Sequence, residues 1–441
     1  MASAWPFRLL LACVACSGFA VSQIPEQYPK PLIHTPTNHP AARVLLLSID
    51  GLHAIDLANY VASHPHTALA ELSARGVTYT NARTPVSDPL AGLTALVTGG
   101  TPISTGIISL HGYGMYPEGH ENPHLGLQVN TIFEVVHEKI GPTAWAGESA
   151  QTDELLSGPS RKGIDELCPL EVSAQSDEIR VSQLLHLIDG RSCSGEHKAS
   201  VPALFGMSFT AIAAAQRSFG YLDALATPSP GLAKAFDMTD AAIARLIAVL
   251  QSQHLYETTW IVIASPFGQS PIDPRQHSTL PAARMEAVVN AASPHTIAHI
   301  AEGGSVLLWL NDHAATARVA KVLSDHAKGL GIQSIHSGND LALTLNVPAK
   351  DPRMPDIVLQ PEPGLRWTRA GDAAIAGYGG TLEDDIHVAL LISGAQLTGR
   401  SDPTLVPTTQ LAPLLLRALG MEKFDLDALH REHTPALPGI F

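Results

Sequence analysis

Residues 43–51 read RVLLLSIDG, an almost unbroken apolar run that ends in Asp50 and Gly51. Such a run, without polar alternation, is typical of a strand in a parallel sheet that is covered on both faces. Four further runs share this character, and they lie at residues 203–212 (ALFGMSFTAI), 259–265 (TWIVIAS), 305–310 (SVLLWL) and 387–393 (HVALLIS). We therefore expect buried strands at these places.

Segments with helical spacing of apolar residues alternate with these runs. Most of them end in Gly, a common helix stop signal, and they lie at residues 67–76, 131–141, 229–253, 315–331 and 408–420. Alternation of strands and helices over the whole length predicts a single α/β domain. We place this domain at residues 43–420, with a mostly parallel central sheet, helices on both faces, and a C-terminal tail at 421–441.

The N-terminus predicts export. Arg8 precedes an apolar run from Leu9 to Val21, and Ala20 and Ser22 are the small residues of a cleavage signal. The run is too short to span a membrane comfortably, so we predict a signal peptide at residues 1–22 and a flexible lead-in rich in Pro and His at 23–42. The mature chain is expected to lack a membrane span and to be secreted or periplasmic.

Charge and cysteine content limit the possible partners. The chain has 27 Lys and Arg against 41 Asp and Glu, a formal net charge of −14, and no basic cluster, which argues against nucleic acid as a partner.

After removal of the signal peptide, Cys168 and Cys193 remain. An even pair in an oxidising compartment predicts one disulfide, and two unpaired thiols are the alternative.

In open α/β sheets, ligands bind beyond the carboxyl ends of the strands. The residues to weigh are therefore Asp50 and Gly51, and the segments at 221–227, 265–268 and 377–385. An Asp-Gly pair after a strand is often only a turn, so Asp50 alone does not indicate chemistry.

The order of several strings is more specific than any one of them. VLLLSIDGL (44–52), LVTGGTPISTGI (96–107), FGQSPID (267–273) and EDDIHVALLIS (383–393) occur in an order that resembles the alkaline phosphatase superfamily, and in particular the type I phosphodiesterase/nucleotide pyrophosphatase family. The resemblance extends from about residue 43 to 420. It implies an alkaline-phosphatase-like three-layer α/β sandwich that holds two divalent metal ions, usually zinc, with a Ser or Thr nucleophile.

The chain departs from the family pattern at the nucleophile. Asp50 matches the first metal aspartate of the family. Counting back from Leu96 places Pro89 at the nucleophile position, in the string SDPLAG, and Pro has no hydroxyl. Ser87 or Asp88 could substitute only if the turn shifted, and the more natural role for either is to cap the helix that Pro89 begins.

Two metal histidines of the family are also replaced. Phe267 stands at one of these positions and Tyr378 at the other. Phe cannot bind zinc, and we expect it to fill the site with apolar volume. Asp223 is the nearest acid to another metal segment, and His387 follows Tyr378, so both remain candidate ligands; a hydrogen-bonded structural role is the alternative for His387.

Other histidines give no defined metal motif. His111, His120 and His124 lie in one polar stretch that could bind a transition metal loosely, and solvated loop histidines are the alternative. His277, His295 and His299 follow the Phe267 segment and could line the same cleft, although the sequence does not fix their geometry.

Two functions follow from these observations. The first is a secreted pseudoenzyme that needs no cofactor and binds an unknown small-molecule or protein ligand. The alternative is an active hydrolase of phosphodiesters or nucleotides with a rearranged two-metal site. It would need Ser87 or Asp88 as nucleophile and Asp50 as a ligand, with help from residues further along the chain, namely Asp223, Asp384, Asp385 or His387. No Ser-His-Asp or Cys-His signature indicates metal-free catalysis.

Overall fold

The computed structural model describes residues 40–108, 126–169, 176–343, 345–351, 353–369, 371–421 and 425–441. The predicted signal peptide, nearly all of the lead-in, and His111, His120 and His124 lie outside these residues, so their predictions stand untested.

The strands of the described residues are, in chain order, β1 (Arg43–Ile49), β2 (Gly76–Tyr79), β3 (Ala82–Arg83), β4 (Thr143–Ala146), β5 (Glu166–Leu167), β6 (Leu204–Phe209), β7 (Thr259–Ala264), β8 (Ser278–Pro281), β9 (Ile297–Glu302), β10 (Val306–Leu310), β11 (Ile332–Ser337), β12 (Ile357–Pro361), β13 (Leu365–Thr368), β14 (His387–Val388), β15 (Leu390–Ser393), β16 (Arg400–Asp402) and β17 (Val406–Pro407).

The α-helices of the same residues are α1 (Ala54–Ser63), α2 (Ala68–Ala74), α3 (Pro89–Thr98), α4 (Pro102–Thr105), α5 (Ile132–Lys139), α6 (Ala150–Leu156), α7 (Ser176–Ile188), α8 (Ala211–Ser218), α9 (Pro230–Ser252), α10 (Ala283–Ala292), α11 (Thr316–Asp325), α12 (Ala327–Leu330), α13 (Glu383–Ile386), α14 (Leu411–Ala418) and α15 (Asp427–Glu432). None of these helices is long and apolar enough to cross a membrane.

A central sheet of eight strands has the order β16-β2-β15-β7-β1-β6-β4-β5. Strand β1 pairs in parallel with β6 on one side and β7 on the other, and β15 is antiparallel to both of its neighbours. The expected mostly parallel sheet is therefore confirmed. Because β1, β6 and β7 are parallel neighbours, the residues that follow them meet at one edge of the sheet.

Alternate residues of β1 belong to two different cores. Val44 and Leu46 pack in a cluster with apolar residues of α3, α5 and α14. Leu45, Leu47 and Ile49 pack in a second cluster with residues of α2, α7 and α9. Since successive side chains of a strand point to opposite faces, this division shows helices on both faces of the sheet, as the apolar runs predicted.

Residues 305–310 form a strand in a different sheet. Strand β10 belongs to a four-stranded sheet of order β11-β12-β10-β9, and it is antiparallel to β9 and β12. Residues of α10 and α11 cover this sheet and form a separate apolar cluster. An apolar run indicates that a strand is buried, but it does not indicate which strands pair with it. The sequence therefore did not distinguish this sheet from the central one.

Cys168 and Cys193 form the disulfide that their number predicted. Their Cα atoms are 5.4 Å apart, and the bridge joins the segment after β5 to the segment after α7.

At the C-terminus, Leu426, Leu429 and Leu437 pack in the same apolar cluster as α3 and α14.

Candidate functional site: a cleft at the strand ends

The carboxyl ends of β1, β6 and β7 converge as parallel pairing requires. Asp50 follows β1 directly, and its backbone N–H donates to the carbonyl of Phe209, the last residue of β6, at 2.9 Å. Thr210 is therefore beside Asp50. Ser265 follows β7, and its N–H donates to Ala389 at 3.0 Å, which fixes the start of the turn at 265–268.

Gly51 allows the chain to turn sharply after Asp50. Its φ is +75°, in the left-handed region that glycine tolerates. A Cβ added here would lie 2.3 Å from Oε1 of Gln216, so a side chain has no room. Nε2 of Gln216 donates to the carbonyl of Gly51 at 2.8 Å. The turn is thus held against α8, and Asp50 has a fixed position.

A buried polar network lies behind this turn. Oδ2 of Asp56 accepts hydrogen bonds from Nδ1 of His53 at 2.7 Å and from the hydroxyl of Tyr221 at 2.8 Å. Nε2 of His53 is 3.0 Å from the backbone N–H of Gln269. Burial lowers the pKa of His53, but the Asp56 carboxylate outweighs this effect, so the pKa is raised. The network ties α1 to the segment after β7.

Helix α3 begins where the family resemblance places the nucleophile. Oδ1 of Asp88 accepts hydrogen bonds from the N–H groups of Leu90 and Ala91, at 2.9 and 3.0 Å, so Asp88 is the N-cap and Pro89 is the first helical residue. The hydroxyl of Ser87 donates to the carbonyl of Gly268 at 3.1 Å and accepts from the N–H of Gly379 at 3.3 Å. The capping role that the sequence predicted is therefore observed for Asp88.

Phe267 and Tyr378 form an aromatic wall beside Pro89. Their ring centroids are 4.9 Å apart and the planes are inclined by 54°. Phe267 is 1% exposed, which matches the expectation that it fills the site with apolar volume. Gly92 lets α3 approach this wall closely, because a Cβ there would lie 1.9 Å from the carbonyl of Pro266. Burial raises the pKa of the Tyr378 hydroxyl far above its ordinary value.

The strand ends and the aromatic wall enclose a cleft of about 470 Å³. Six of its lining residues carry the argument that follows, and they are Asp50, Glu148, Thr210, Arg217, Phe267 and Tyr378. The cleft therefore joins a charged side to an apolar side.

One acid–base pair, Asp177 and Arg180, lies beside the cleft at the start of α8 and makes several hydrogen bonds. Asp177 accepts hydrogen bonds from the N–H groups of Thr210 and Ala211 at the start of α8, from the hydroxyl of Thr210, and from the guanidinium of Arg180. Arg180 also donates to the Thr210 hydroxyl at 3.1 Å. A carboxylate at a helix N-terminus is favoured by the free N–H groups and the helix dipole. This pair therefore stabilises the start of α8, where Thr210 lines the cleft.

Asp50 and Glu148 are not engaged in this way. Neither carboxylate forms a hydrogen bond or an ion pair with any residue that the structure describes, and Asp50 is 6% exposed. Burial, with the nearby charges of Glu148 and Asp177, raises the pKa of Asp50 well above its ordinary value, and Arg180 and Arg217 oppose this. Burial likewise raises the pKa of Glu148, against the opposing charge of Arg180.

Arg217 is the cation of the cleft that lacks a carboxylate partner among the described residues. Its guanidinium makes one long hydrogen bond there, 3.5 Å to Oε1 of Gln269. It lines the cleft together with Asp50 and Glu148, and its charge lowers the pKa of both carboxyl groups.

The structure places several predicted residues outside the cleft. Asp223 lies in the loop between α8 and α9, where Oδ1 accepts from the N–H groups of Leu225 and Thr227, so it is not brought to Asp50. Nε2 of His387 contacts the carbonyl of Thr80 at 2.8 Å, and Nδ1 lies 2.9 Å from Glu383. His387 thus has the hydrogen-bonded structural role that the sequence offered as the alternative to metal binding.

The remaining candidates are engaged elsewhere. Oδ2 of Asp384 accepts from the N–H of Ile272, and Asp385 accepts from the hydroxyl of Ser270, both at 2.8 Å. The three histidines after the Phe267 segment do not line the cleft; these are His277, His295 and His299.

Sequence reasoning missed Glu148, Thr210 and Arg217. The rule that ligands follow strand ends could have found Thr210, since it comes directly after the apolar run of β6, whereas the expected segment at 221–227 lies further along the chain. Glu148 follows β4, which has only four residues and gives a weak strand signal. Arg217 lies on α8, and no local pattern assigns it to the cleft.

Comparison with known proteins places the chain in a family. The sequence profile of the type I phosphodiesterase/nucleotide pyrophosphatase family matches residues 44–377, which is more than half of the chain. The chain belongs to this family. No curated protein matches the chain in sequence.

Solved structures show the same fold. Murine ectonucleotide pyrophosphatase/phosphodiesterase 5 is 16% identical, with a TM-score of 0.63, and the match covers 86% of this chain and 96% of that one. Its human counterpart is 15% identical, with a TM-score of 0.61 and coverage of 86% and 95%. The alkaline phosphatase PafA is 10% identical, with a TM-score of 0.65 and coverage of 87% and 96%. The alkaline-phosphatase-like fold is thus confirmed.

The residues of this phosphodiesterase-family cleft do not fit a pair of zinc ions. Zinc is held by His nitrogen, Cys sulfur and carboxylate oxygen, with three or four protein ligands in most sites. None of the described residues that line the cleft is His or Cys. Within the described ranges, no three residues among His, Cys, Asp and Glu form a group that could hold a metal. Two further acids of the cleft, Glu302 and Asp372, are paired with arginines, and Asp50 and Glu148 supply too few donors for two metals.

Proposed function

We propose that this member of the phosphodiesterase family is a binding protein that does not catalyse hydrolysis. The observation that carries the proposal is Pro89, the first residue of α3, at the position that the resemblance assigns to the hydroxyl nucleophile. Pro89 has neither a hydroxyl nor an N–H, so it can neither attack phosphorus nor bind a metal.

The neighbouring residues do not replace the missing nucleophile. The carboxylate of Asp88 caps α3, and the hydroxyl of Ser87 both donates and accepts a hydrogen bond. Freeing Asp88 would remove the N-cap of α3, and freeing Ser87 would break its hydrogen bonds to Gly268 and Gly379. These contacts oppose the alternative of an active hydrolase with a rearranged site and two divalent metals.

The cleft itself remains available to a ligand. It has a volume of about 470 Å³, which suits a small molecule better than a protein segment. Among the solved relatives, an inactive variant of murine ectonucleotide pyrophosphatase/phosphodiesterase 5 has been described in complex with AMP. Binding without turnover is therefore compatible with this fold, and we propose a small molecule as the partner of the present chain.

Export is part of the same proposal. The apolar N-terminal run predicts a signal peptide. The disulfide between Cys168 and Cys193 supports an oxidising compartment, because such bridges are rare in reducing ones. We propose that the mature protein acts outside the cell or in the periplasm.

Metal content and hydrolysis test this proposal together. We expect the purified chain, offered zinc and then dialysed, to retain less than about a tenth of a metal ion per chain, because metal affinity requires several strong ligands. We also expect no chelator-sensitive hydrolysis of bis(4-nitrophenyl) phosphate or of a nucleotide. Both are measured on the same preparation, by plasma mass spectrometry and by absorbance.

Asp50→Asn is the control for contaminating hydrolases. Any turnover by the cleft would be lost in this variant, whereas turnover by a contaminant would be unchanged. About two metal ions per chain, with chelator-sensitive turnover that Asp50→Asn abolishes, would refute the proposal and establish the hydrolase.

A further inference from the structure

The charged side of the cleft contains groups of opposite sign that lack partners in the described part of the chain. Asp50 is nine-tenths buried, lines the cleft and receives no hydrogen bond there. Glu148 also lines the cleft; it is partly buried and likewise receives no hydrogen bond from the described residues. A buried carboxylate without donors is costly, because the hydration that it loses is not replaced. Such groups are retained where a ligand supplies the missing donors.

Two arginines line the cleft, and Arg366 already pairs with Asp372. The Asp177 carboxylate already receives Arg180 and the α8 N-terminus. Arg217 is left with a single long hydrogen bond among the described residues. The planar guanidinium favours bidentate pairing with a carboxylate or phosphate.

The apolar side of the cleft suits a cation near Asp50. The rings of Phe267 and Tyr378 pack together at this side of the cleft, and because Phe267 is 1% exposed, Tyr378 is the ring that offers surface to a ligand. The negative faces of aromatic rings attract a positively charged nitrogen within about 6 Å. An aromatic wall together with an unpartnered carboxylate is the usual chemistry of an organic ammonium site.

We propose that the cleft binds a small zwitterion. Its ammonium group donates N–H bonds to Asp50 and Glu148 beside the Phe267–Tyr378 wall, and its carboxylate or phosphate group pairs with Arg217. This inference rests on the proposed binding function and names the class of ligand.

The need for N–H donors separates this ligand from related ones. A quaternary ammonium would satisfy the aromatic wall but would leave the oxygens of Asp50 without hydrogen bonds. A simple anion would satisfy Arg217 and leave both carboxylates unpaired. A simple amine would pair with the carboxylates and leave Arg217 unpaired. Both ends are required for every unpartnered group to gain a partner.

Calorimetric titration with a matched panel of compounds tests the inference. The panel contains ω-amino acids from glycine to 6-aminohexanoate, phosphoethanolamine, and single-ended compounds of equal length such as butylamine and butyrate. We expect at least one zwitterion to bind at least tenfold more tightly than its matched amine and its matched acid, since a charge-assisted hydrogen bond is worth about a factor of ten or more.

Two variants assign the two ends of the ligand. Asp50→Asn should weaken the zwitterion and the amine at least tenfold and leave the acid unaffected. Arg217→Gln should weaken the zwitterion and the acid and leave the amine unaffected. Asp223→Asn and Arg245→Gln are the matched controls, because Asp223 lies in the loop after α8 and Arg245 pairs with Glu178 on the surface. Circular dichroism confirms that each variant is folded.

The outcomes separate this inference from the proposed function. If no compound of the panel binds, or if amine and zwitterion bind equally, while metal content and turnover are both negligible, the zwitterion site is wrong and the binding function survives. If bound metal and Asp50-dependent hydrolysis are found, both proposals fall.

Discussion

Asp50 and Asp56 are two buried carboxylates on either side of one turn, and their surroundings differ. Both side chains are at most 6% exposed. Asp56 accepts hydrogen bonds from His53 and Tyr221. Asp50 accepts none from the described residues, although it lines a cleft that holds an arginine. The carboxylate of Asp56 is therefore held by hydrogen bonds that stabilise the fold. The carboxylate of Asp50, six residues earlier, is left available to a ligand.

This difference teaches how to separate structural from functional polar groups. A buried polar group that helps folding carries its partners within the chain, since unpaired burial is unfavourable. Oδ1 of Asp56 is itself buried without a hydrogen-bond partner, so a single unpaired atom does not mark a site. Asp50 differs because neither of its oxygens receives a hydrogen bond from the described residues and because it lines a cleft, where a ligand could supply the donors. The comparison can be tested by removing each carboxylate in turn.

Removal of the Asp56 carboxylate should have the largest effect. We expect Asp56→Ala to lower the free energy of unfolding by about 3–5 kcal/mol, because it leaves His53 and Tyr221 as buried groups without their acceptor. Urea unfolding followed by circular dichroism measures this loss. Asp325→Ala, at an exposed site on α11 paired with Lys321, is the control and should change little. A loss below about 1 kcal/mol for Asp56→Ala would show that the network is not a stabilising element.

Asp385 is a third buried carboxylate. It accepts hydrogen bonds, as Asp56 does, but its pKa is raised, as that of Asp50 is. Its oxygens accept from the Ser270 hydroxyl and the Leu382 N–H, but burial is the larger effect and raises its pKa to about 7, with Asp384 adding to the rise and His53 opposing it. Since the folded pKa lies above the unfolded value, the folded state binds more protons between about pH 4 and pH 7. Its contribution to stability therefore falls as the pH rises through this range.

Asp385→Asn should remove this pH dependence. We expect the variant to be less stable than the wild type near pH 4, because Asn loses one acceptor, and to regain about 4 kcal/mol relative to the wild type by pH 8. Urea unfolding at several pH values measures the difference, with Asp325→Asn as the control. A constant difference between variant and wild type across the range would show that Asp385 does not titrate there.

Part of this fold could be predicted from the sequence. Strands β1, β6 and β7 were recognised because helices bury both of their faces, which leaves continuous apolar runs. The apolar wall was recognised because Phe267 and Tyr378 depart visibly from the family strings. The assignment of β10 to a second sheet could not be predicted, because strand pairing depends on contacts distant in sequence.

The charged side of the cleft could not be predicted from the sequence for a similar reason. Glu148 follows β4, whereas Thr210 and Arg217 lie at the start and near the end of α8, and no local pattern assigns Glu148 or Arg217 to the cleft. Asp223 is the nearest acid in sequence to the expected metal segment, but the loop directs its carboxylate to the backbone N–H groups of Leu225 and Thr227. The absence of partners for Asp50 is a property of the folded chain and has no local sequence signal.

Asp50→Asn should have the smallest effect on stability and thereby complete the comparison. We expect the free energy of unfolding to change by less than about 1 kcal/mol, or to increase, because the substitution removes a buried charge without removing a hydrogen bond. The measurement is urea unfolding beside Asp56→Asn, the same substitution six residues away, which should cost clearly more. If the two variants lost equal stability, Asp50 would have to be held by a partner in the folded chain. Its role would then be structural, and the cleft would lose the group that makes it a candidate binding site.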